Sequence, residues 1–531
     1  MKKQHLMPLI YSAVLATGIL FGIHIAKSNG IATTQKNNDN FYINDIFSLI
    51  EKEYVDTINI NDLQTKAITH VLESMDPHSE YIKPEVLDDV NDNLHGSFHG
   101  IGVSFRIEKD TIAIINTIKG GPSEKVGILA GDRIVYVGDS LVAGTKVTNK
   151  DAMRLLKGPK NTKVDVKIKR RGMEELLDFT IVRDVIPTHS IDVAYMIDDN
   201  IGFIKMTKFS ATTHKEFVEA VKRLKAEGMT KLILDLRDNT GGYLGEAVGV
   251  VDEMLADNNL IVYTEGEHRD RSYIFSRHRG LWENNDVVVL INESSASASE
   301  IVAGALQDND RGTIIGRRSF GKGLVQEQFE LGENGALRLT VARYYTPTGR
   351  CIQKPFSGNK EEYMLEEYTR YATGEMFNID SIHFADSLKY ITPKGKVVYG
   401  GGGIMPDIYV PLENDSTHYF FNKMANSGIL FQYAFDYADS HRKEISNYGN
   451  ARKFNDKFIF TDAIFNELMR RTEEKKIIGN DADKAKAREL AEPLFKAYVA
   501  RDVFGDEAFY VLYEPIDEIL QEAISKLKGE I

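Results

Sequence analysis

The sequence has a single cysteine, Cys351, among 531 residues. One thiol cannot form an internal disulfide, and it excludes zinc fingers, CxxC redox sites and iron–sulfur clusters. Positive charge is scarce too. Lys and Arg number 65 against 78 Asp and Glu, for a net charge of −13, which excludes a nucleic-acid partner held by bulk electrostatics. There is no internal repeat, no GxSxG nucleophile elbow and no HExxH zinc motif. At 42% hydrophobic and 27% charged residues, the composition excludes a largely disordered chain, a collagen-like repeat and a polytopic membrane protein. The length suggests three or four domains at roughly 150 residues each.

Charge of either sign is missing between Lys3 and Lys27. Residues 8–26 form a mostly apolar run of 19 residues, long enough to cross a bilayer as a helix. Lys2 and Lys3 favour a cytoplasmic N-terminus and an exported remainder. A cleaved signal peptide is the rival, because Ser12, Thr17 and His24 interrupt the run. Its cleavage site would be poor, since His24-Ile25-Ala26 is a weak small-x-small match. A lipoprotein anchor is excluded for want of a cysteine. The expectation is an exported, periplasmic protein anchored to the inner membrane by residues 8–26, with a polar linker over 28–40.

Helical periodicity runs from Phe41 to Met75 and stops at Asp76-Pro77-His78, where proline ends a helix. From about Pro84 to Val185 the pattern is short β-type runs, at 102–107, 111–115, 133–137, 163–169 and 176–182, with one helix at 150–156. That is a small, separate β-rich domain. From Ile201 strands and helices alternate: strands at 201–207, 231–236 and 287–292, helices at 215–226, 245–255 and 299–307, and a later strand at 338–345. Continuous apolar strands with helices between them predict an α/β layered domain. After about Asp415 the chain reads as charged and helical, with stripes at Ile464, Phe465 and Leu468 and at Ile516, Leu520, Ala523 and Leu527.

Three strand ends carry the candidate chemistry. The first is Ser294-Ser295-Ala296-Ser297-Ala298-Ser299-Glu300, at a strand-to-helix turn. A hydroxyl there can act as a nucleophile beside free helix N–H groups; plain helix capping is the other reading. The second is Gly316-Arg317-Arg318-Ser319-Phe320-Gly321-Lys322-Gly323, which nearly matches the P-loop GxxxxGK[ST]. Gly323 replaces the magnesium-binding hydroxyl, and the alternation of 324–329 reads as a strand rather than the required helix. A lysine between Phe320 and Leu324 would be buried, its pKa lowered, and able to serve as a base; a solvated turn lysine is the alternative. The third is Leu234-Asp235-Leu236-Arg237-Asp238-Asn239-Thr240-Gly241-Gly242, whose glycine amides suit an oxyanion or merely close a tight turn. None of the 13 histidines sits in these segments, so a Ser-His-Asp triad has no obvious base.

Taken together and in this order, Asp-Leu-Arg-x-Asn-x-Gly-Gly, Ser-Ala-Ser-Ala-Ser-Glu and Phe-Gly-Lys-Gly-x-Val-Gln resemble the C-terminal processing (tail-specific) proteases, serine peptidases with a Ser-Lys dyad and a PDZ domain. Gly100-Ile101-Gly102-Val103 resembles a PDZ carboxylate-binding loop, and Gly121-Pro122-Ser123 with Ala130-Gly131-Asp132-Arg133-Ile134 the later PDZ signature. Met75-Asp76-Pro77-His78-Ser79 and Gly403-Ile404-Met405-Pro406-Asp407 also fit, so the likeness covers about Phe41 to Pro411. The resemblance implies Ser297 as nucleophile, Lys322 as base 25 residues later and Gln326 as the residue that orients the lysine. It implies oxyanion donors at Ala298 and at Gly241 or Gly242, the choice between the glycines left open. Thr240 stands where the family often has proline. No cofactor or metal is implied. The implied partners are protein or peptide substrates with free C-termini, taken up at Gly100 to Val103; a homo-oligomer is left open.

The expected fold is a multidomain α/β protein. It comprises a signal anchor or signal peptide (1–27), a linker (28–40), a helical segment (41–83), a PDZ-like domain (84–185), a Ser-Lys protease core (186–414) and a C-terminal helical accessory region (415–531). Two rivals remain, a catalytically inactive PDZ scaffold and a P-loop NTPase.

Overall fold

The computed structural model describes residues 16–18, 42–277, 279–413 and 415–530. The expected anchor therefore lies outside the described residues, apart from 16–18. Among the described residues no helix is long and apolar enough to cross a membrane. The chain divides into two units, 1–71 and 72–531. In the first, the expected helical stretch is broken into Tyr42–Glu53 and Ile60–Met75, the latter running across the boundary.

The second unit is a multidomain α/β structure with a small β-rich domain where the PDZ-like domain is expected, a layered α/β core and a C-terminal helical region. In the β-rich domain, strands Val103–Ile107, Ile112–Thr117, Arg133–Val137, Lys163–Lys169 and Leu177–Val182 lie in that spatial order. Helix Asn149–Leu156 begins at a Thr148–Asp151 capping box. Lys163–Lys169 alternates exposed and buried, the mark of a strand with one face on a core. A pair of strands unread in the sequence, Ser97–Gly100 with Asp184–Pro187, closes the entrance and exit of the domain.

The core is a six-stranded sheet. Its strands run Ile191–Met196, Ile201–Met206, Lys231–Asp235, Asp286–Ile291, Thr313–Gly316, Ile408–Tyr409. All neighbours are parallel except the first pair. The continuous apolar runs follow from burial on both faces. Leu232, Leu234, Val287 and Val289 pack with helices Thr213–Ala226, Leu244–Asp252 and Ala298–Asp308 on one side. Ile233, Val288 and Leu290 point to the other side, where Ile519, Leu520, Ala523, Ile524 and Leu527 of the last helix, Glu518–Lys528, cover them. A boundary at residue 414 thus cuts off part of the core's own packing: the final helix, assigned from sequence to the accessory region, completes the second layer. The rest of the helical region, from Tyr419 to Tyr513, has a separate core of its own around Phe454, Phe458 and Phe495.

A second sheet carries Leu324–Glu330 against Ala336–Tyr345, with Glu80–Ile82 and the hairpin Leu260–Gly266/Arg269–Phe275 alongside.

Leu520 is 2% exposed beneath the sheet. Leu520→Ala should destabilise the protein by about 2–5 kcal/mol, measured as a lower unfolding midpoint. Ile478→Ala, at a side chain 82% exposed, should leave the midpoint within about 0.5 kcal/mol of the parent.

Candidate active site

Three adjacent parallel strands end at Asp235, Ile291 and Gly316. Their carboxyl ends therefore deliver the three motif-bearing turns to one edge of the sheet, where open α/β sheets bind ligands.

The first turn is tied down by charge. Asp235 is fully buried and pairs with Arg237 at 2.6 Å and Lys205 at 3.2 Å, while Arg237 reaches Asp517 at the start of the last helix at 2.7 Å. Buried carboxylates survive when paired and hydrogen-bonded in this way; Arg237 and Lys205 hold the Asp235 carboxyl down at about 2 against the opposing effect of burial. Asn239 then welds this turn to the next. Its carbonyl accepts from Ala296 N–H at 3.0 Å and Ser299 Oγ–H at 2.8 Å, and its Oδ1 accepts from Gly241 N–H at 2.9 Å. Gly241 and Gly242 have φ of +100° and +146°. A Cβ on Gly241 would stand 2.8 Å from Ser297 Cβ, and one on Gly242 2.1 Å from the Phe209 carbonyl oxygen, so only glycine fits.

The second turn separates its serines. Ser295 and Ser299 are fully buried, and their hydroxyls donate to the carbonyls of Leu236 and Asn239, both at 2.8 Å. Ser297 instead lines a cavity of about 660 Å³. It has φ +57° and ψ −113°, a conformation rare for a residue with a side chain and costing on the order of 1–3 kcal/mol. The backbone is held there by Ser297 N–H donating to Glu300 at 2.8 Å and by the Tyr344 hydroxyl donating to the Ser297 carbonyl at 3.1 Å. Helix Ala298–Asp308, buried at every position, begins at the next residue.

The third turn brings Lys322 into the same cavity, with Gln326. Burial, with Arg338 nearby, pushes the Lys322 ammonium below its ordinary range. Among the described residues no carboxylate lies within ion-pair distance of its Nζ. The loop around it is anchored by Glu300, whose carboxylate accepts from Ser319 Oγ–H at 2.5 Å, Gly321 N–H at 2.7 Å and Lys322 N–H at 2.9 Å, besides Ser297 N–H. The amides that a P-loop would turn toward phosphate thus already have an internal anion, and strand Leu324–Glu330 follows rather than a helix. Gln326 Nε2 donates to Thr340 Oγ1 at 3.2 Å; no hydrogen bond joins it to Lys322 among the described residues.

Two residues of this site had no role assigned from sequence. Glu300 reads as a helix-capping residue, and its contacts with the distant 319–322 loop are not local. His78 comes from the Asp76-Pro77-His78-Ser79 turn and lines the cavity with Ser297 and Lys322. It lies 219 residues before Ser297 in the chain, and only the proline stop and the family-like segment 75–79 flagged it, with no role attached.

In the PDZ-like domain, Ile101 is buried and its carbonyl accepts from Ser123 N–H at 3.0 Å and Ser123 Oγ–H at 2.7 Å. Gly102 has φ +72°, and Val103 opens the edge strand Val103–Ile107. An edge strand beside a glycine turn is the place where an extended tail adds to a sheet.

Family profiles match where these features lie: peptidase family S41 over residues 200–360, a PDZ domain over 100–181, and a family of unknown function over 420–505. Fold and site together define a PDZ-containing serine-type peptidase. A carboxy-terminal-processing protease of Bartonella bacilliformis is 39% identical over 330 residues, 60% of this chain and 75% of the relative. The carboxy-terminal processing protease CtpA of Bacillus subtilis is 33% identical over 329 residues, 62% of this chain and 70% of the relative. The solved photosystem II D1 C-terminal processing protease is similar at 25% identity, covering 68% of this chain and 84% of that one, with a TM-score of 0.35. The chain belongs to the carboxy-terminal processing protease family.

Glu300→Gln keeps the shape but replaces one acceptor oxygen by a donor, so two of the four donors lose their partner. Each buried group left unsatisfied costs about 1–3 kcal/mol. The variant should unfold earlier in denaturant and lose at least about tenfold in peptide turnover, since misplacement by about 1 Å costs more than that. Unchanged midpoint and turnover would remove this carboxylate from its role as the tie between the two turns.

Proposed function

We propose that the protein is a serine endopeptidase of the C-terminal processing type, acting on exported proteins through a Ser297–Lys322 dyad. The observation that carries this is the sorting of the serines: Ser295 and Ser299 are committed to main-chain carbonyls, whereas Ser297 shares a cavity with Lys322. Neutral Lys322 takes the Ser297 proton and the alkoxide attacks the peptide carbonyl. The tetrahedral oxyanion is met by two main-chain amides. The Ala298 and Gly242 amides suit this, because Gly241 N–H is already engaged by Asn239. The lysine ammonium then protonates the leaving amine. Water hydrolyses the acyl-enzyme with Lys322 again as base, a variant of triad logic. Gln326 borders this cavity and would steady the amine only after turning from Thr340.

The PDZ domain takes the substrate's C-terminal carboxylate at the amides of the Gly100–Val103 loop and adds the tail to strand Val103–Ile107. Export rests on Lys2, Lys3 and the apolar run 8–26, with the run serving as an inner-membrane anchor. The boundaries 84–185 for the PDZ-like domain and 186–414 plus the last helix for the core are part of the same reading.

Ser297→Ala should reduce turnover by on the order of 10⁴-fold or more without changing peptide binding to the PDZ domain. If Ser297→Ala retains turnover, the nucleophile lies elsewhere. A free lysine titrates near 10.4, so an unshifted Lys322 would cost roughly 4 kcal/mol of barrier at pH 7.5. The unprotonated amine is the active form, so the rate should rise with pH through an apparent pKa below that of free lysine and fall away on the acid side. Lys322→Arg, which keeps the charge but does not deprotonate, should be inactive across the whole range.

Amidating a substrate's C-terminus should weaken its capture by the PDZ loop and raise KM or slow activation. Equal cleavage of free-acid and amidated tails would argue against recognition through the carboxylate.

A further inference from the structure

Behind the Lys322 loop runs a chain of hydrogen bonds that the reaction above does not use. Gly323 N–H donates to Gln353 Oε1 at 2.8 Å. That contact fixes the amide, so Gln353 Nε2 faces two acceptors, the Lys354 carbonyl at 2.9 Å and Tyr363 Oη at 3.0 Å. With its oxygen accepting from Gln353, the Tyr363 hydroxyl has one proton left to give, and His78 Nε2 lies 3.1 Å away. Donation to Nε2 leaves the imidazole proton on Nδ1. The ring is also wedged edge-on against Tyr363 and Phe320, with centroids 5.4 and 6.5 Å apart.

The surrounding charges leave Lys322 as the cation with the greatest influence on the ring. Around His78 stand Lys322, Asp76, Lys354 and Lys360. Asp76 is taken by the amides of His78 and Ser79 and the hydroxyls of Ser79 and Thr340. Lys354 pairs with Glu366 at 2.7 Å and Lys360 with Glu73 at 3.2 Å. Around Lys322 stand Arg338, Glu300, Glu80 and Asp76. Glu80 pairs with Arg338 at 2.9 Å, and Glu300 holds four other donors.

We propose that His78 is a positioning residue of the peptidase: locked as an uncharged Nδ1–H tautomer at the end of the Gly323–Gln353–Tyr363 chain, it gives Lys322 a neutral wall in place of water or a carboxylate, so that the amine stays unprotonated. Burial and Lys322 hold the imidazole down at about 3, in keeping with a ring that carries no charge in the working range. The proposal rests on the dyad reading, and it adds a group that governs the state of the base from the wall of the cavity they share.

The test has an arm independent of activity and an arm that reads activity against pH. In ¹⁵N-histidine-labelled full-length protein, the His78 resonances should show a single Nδ1–H tautomer that does not titrate between pH 5 and 8. In Tyr363→Phe that tautomeric preference should be lost. His78→Ala admits water beside Lys322, so the apparent pKa of kcat/KM should move up by at least one unit. Its rate should then fall at least about tenfold at neutral pH and recover to within about twofold of the parent once Lys322 is deprotonated. His78→Gln, neutral and able to accept from Tyr363, should restore most of the parent profile. A loss of rate equal at every pH or an unshifted profile in folded His78→Ala, or a profile in folded His78→Gln shifted as far as that of His78→Ala, overturns the proposal, as does a titrating or Nε2–H imidazole. A parent-like profile in His78→Ala together with an inactive Ser297→Ala sinks this inference alone. Turnover surviving in Ser297→Ala sinks the dyad instead.

Discussion

The site depends on one buried carboxylate. Glu300 is inaccessible to solvent, yet three main-chain amides and a hydroxyl converge on its two oxygens. Burial pushes its carboxyl above the ordinary range while these four bonds pull the other way. The geometry decides for the anion. Ser319 Oγ accepts from Ile404 N–H at 2.6 Å and donates to Glu300 at 2.5 Å, so all four bonds to the carboxyl group arrive from donors. Charge-assisted bonds of this kind are the strong ones, and they offset a desolvation that an unpaired carboxylate could not bear. Their consequence is spatial: one group fixes both the amide of Ser297 and the amide of Lys322, which stand on turns after different strands.

That tie works because the sheet has already brought the turns together. Parallel neighbours ending at Asp235, Ile291 and Gly316 share one edge, and glycine allows the first turn to press on the second without a side chain between them. The unfavourable backbone of Ser297 is then over-determined by Glu300, Tyr344 and the packed helix behind it. Strain of this kind persists only where rigid surroundings enforce it. Here they include the core beneath and, through the Asp235–Arg237–Asp517 pairings, the last helix of the chain.

How much of this was legible in the sequence follows from the range of the interactions. Continuous apolar runs announced the core strands because both sheet faces are buried, and the alternation after Lys322 announced a strand. The same patterns could not show what covers the second face. Ile516, Leu520, Ala523 and Leu527 read as a stripe without an address, since the sheet that Leu520, Ala523 and Leu527 meet lies more than two hundred residues earlier along most of its strands, while Ile516 stays exposed. Among the serines, composition offered no way to tell Ser297 from Ser295 and Ser299; the distinction lies in which carbonyls the hydroxyls reach. Gly241 and Gly242 were interchangeable until Asn239 was seen to occupy one amide. Glu300 was hidden because its local spacing is that of an ordinary capping residue, and His78 because its neighbours come from a segment nearly three hundred residues away.

A charged Glu300 beside Lys322, the base of the proposed dyad, looks contradictory, since an anion nearby favours the ammonium. The contradiction dissolves in the hydrogen-bond accounting. Glu300 raises the pKa of Lys322 through space, but the effects of burial and of Arg338 run the other way and the balance is downward. The carboxylate can be charged without capturing the ammonium because its oxygens are already bound to donors from the two turns, so the lysine side chain finds no acceptor there. Salt bridges elsewhere in the vicinity dispose of the other charges in the same manner, Glu80 with Arg338 and Glu366 with Lys354. A lysine can therefore sit among carboxylates with its pKa still lowered, provided that each carboxylate is engaged elsewhere. The distribution of partners, rather than the count of charges, sets the chemistry of this site.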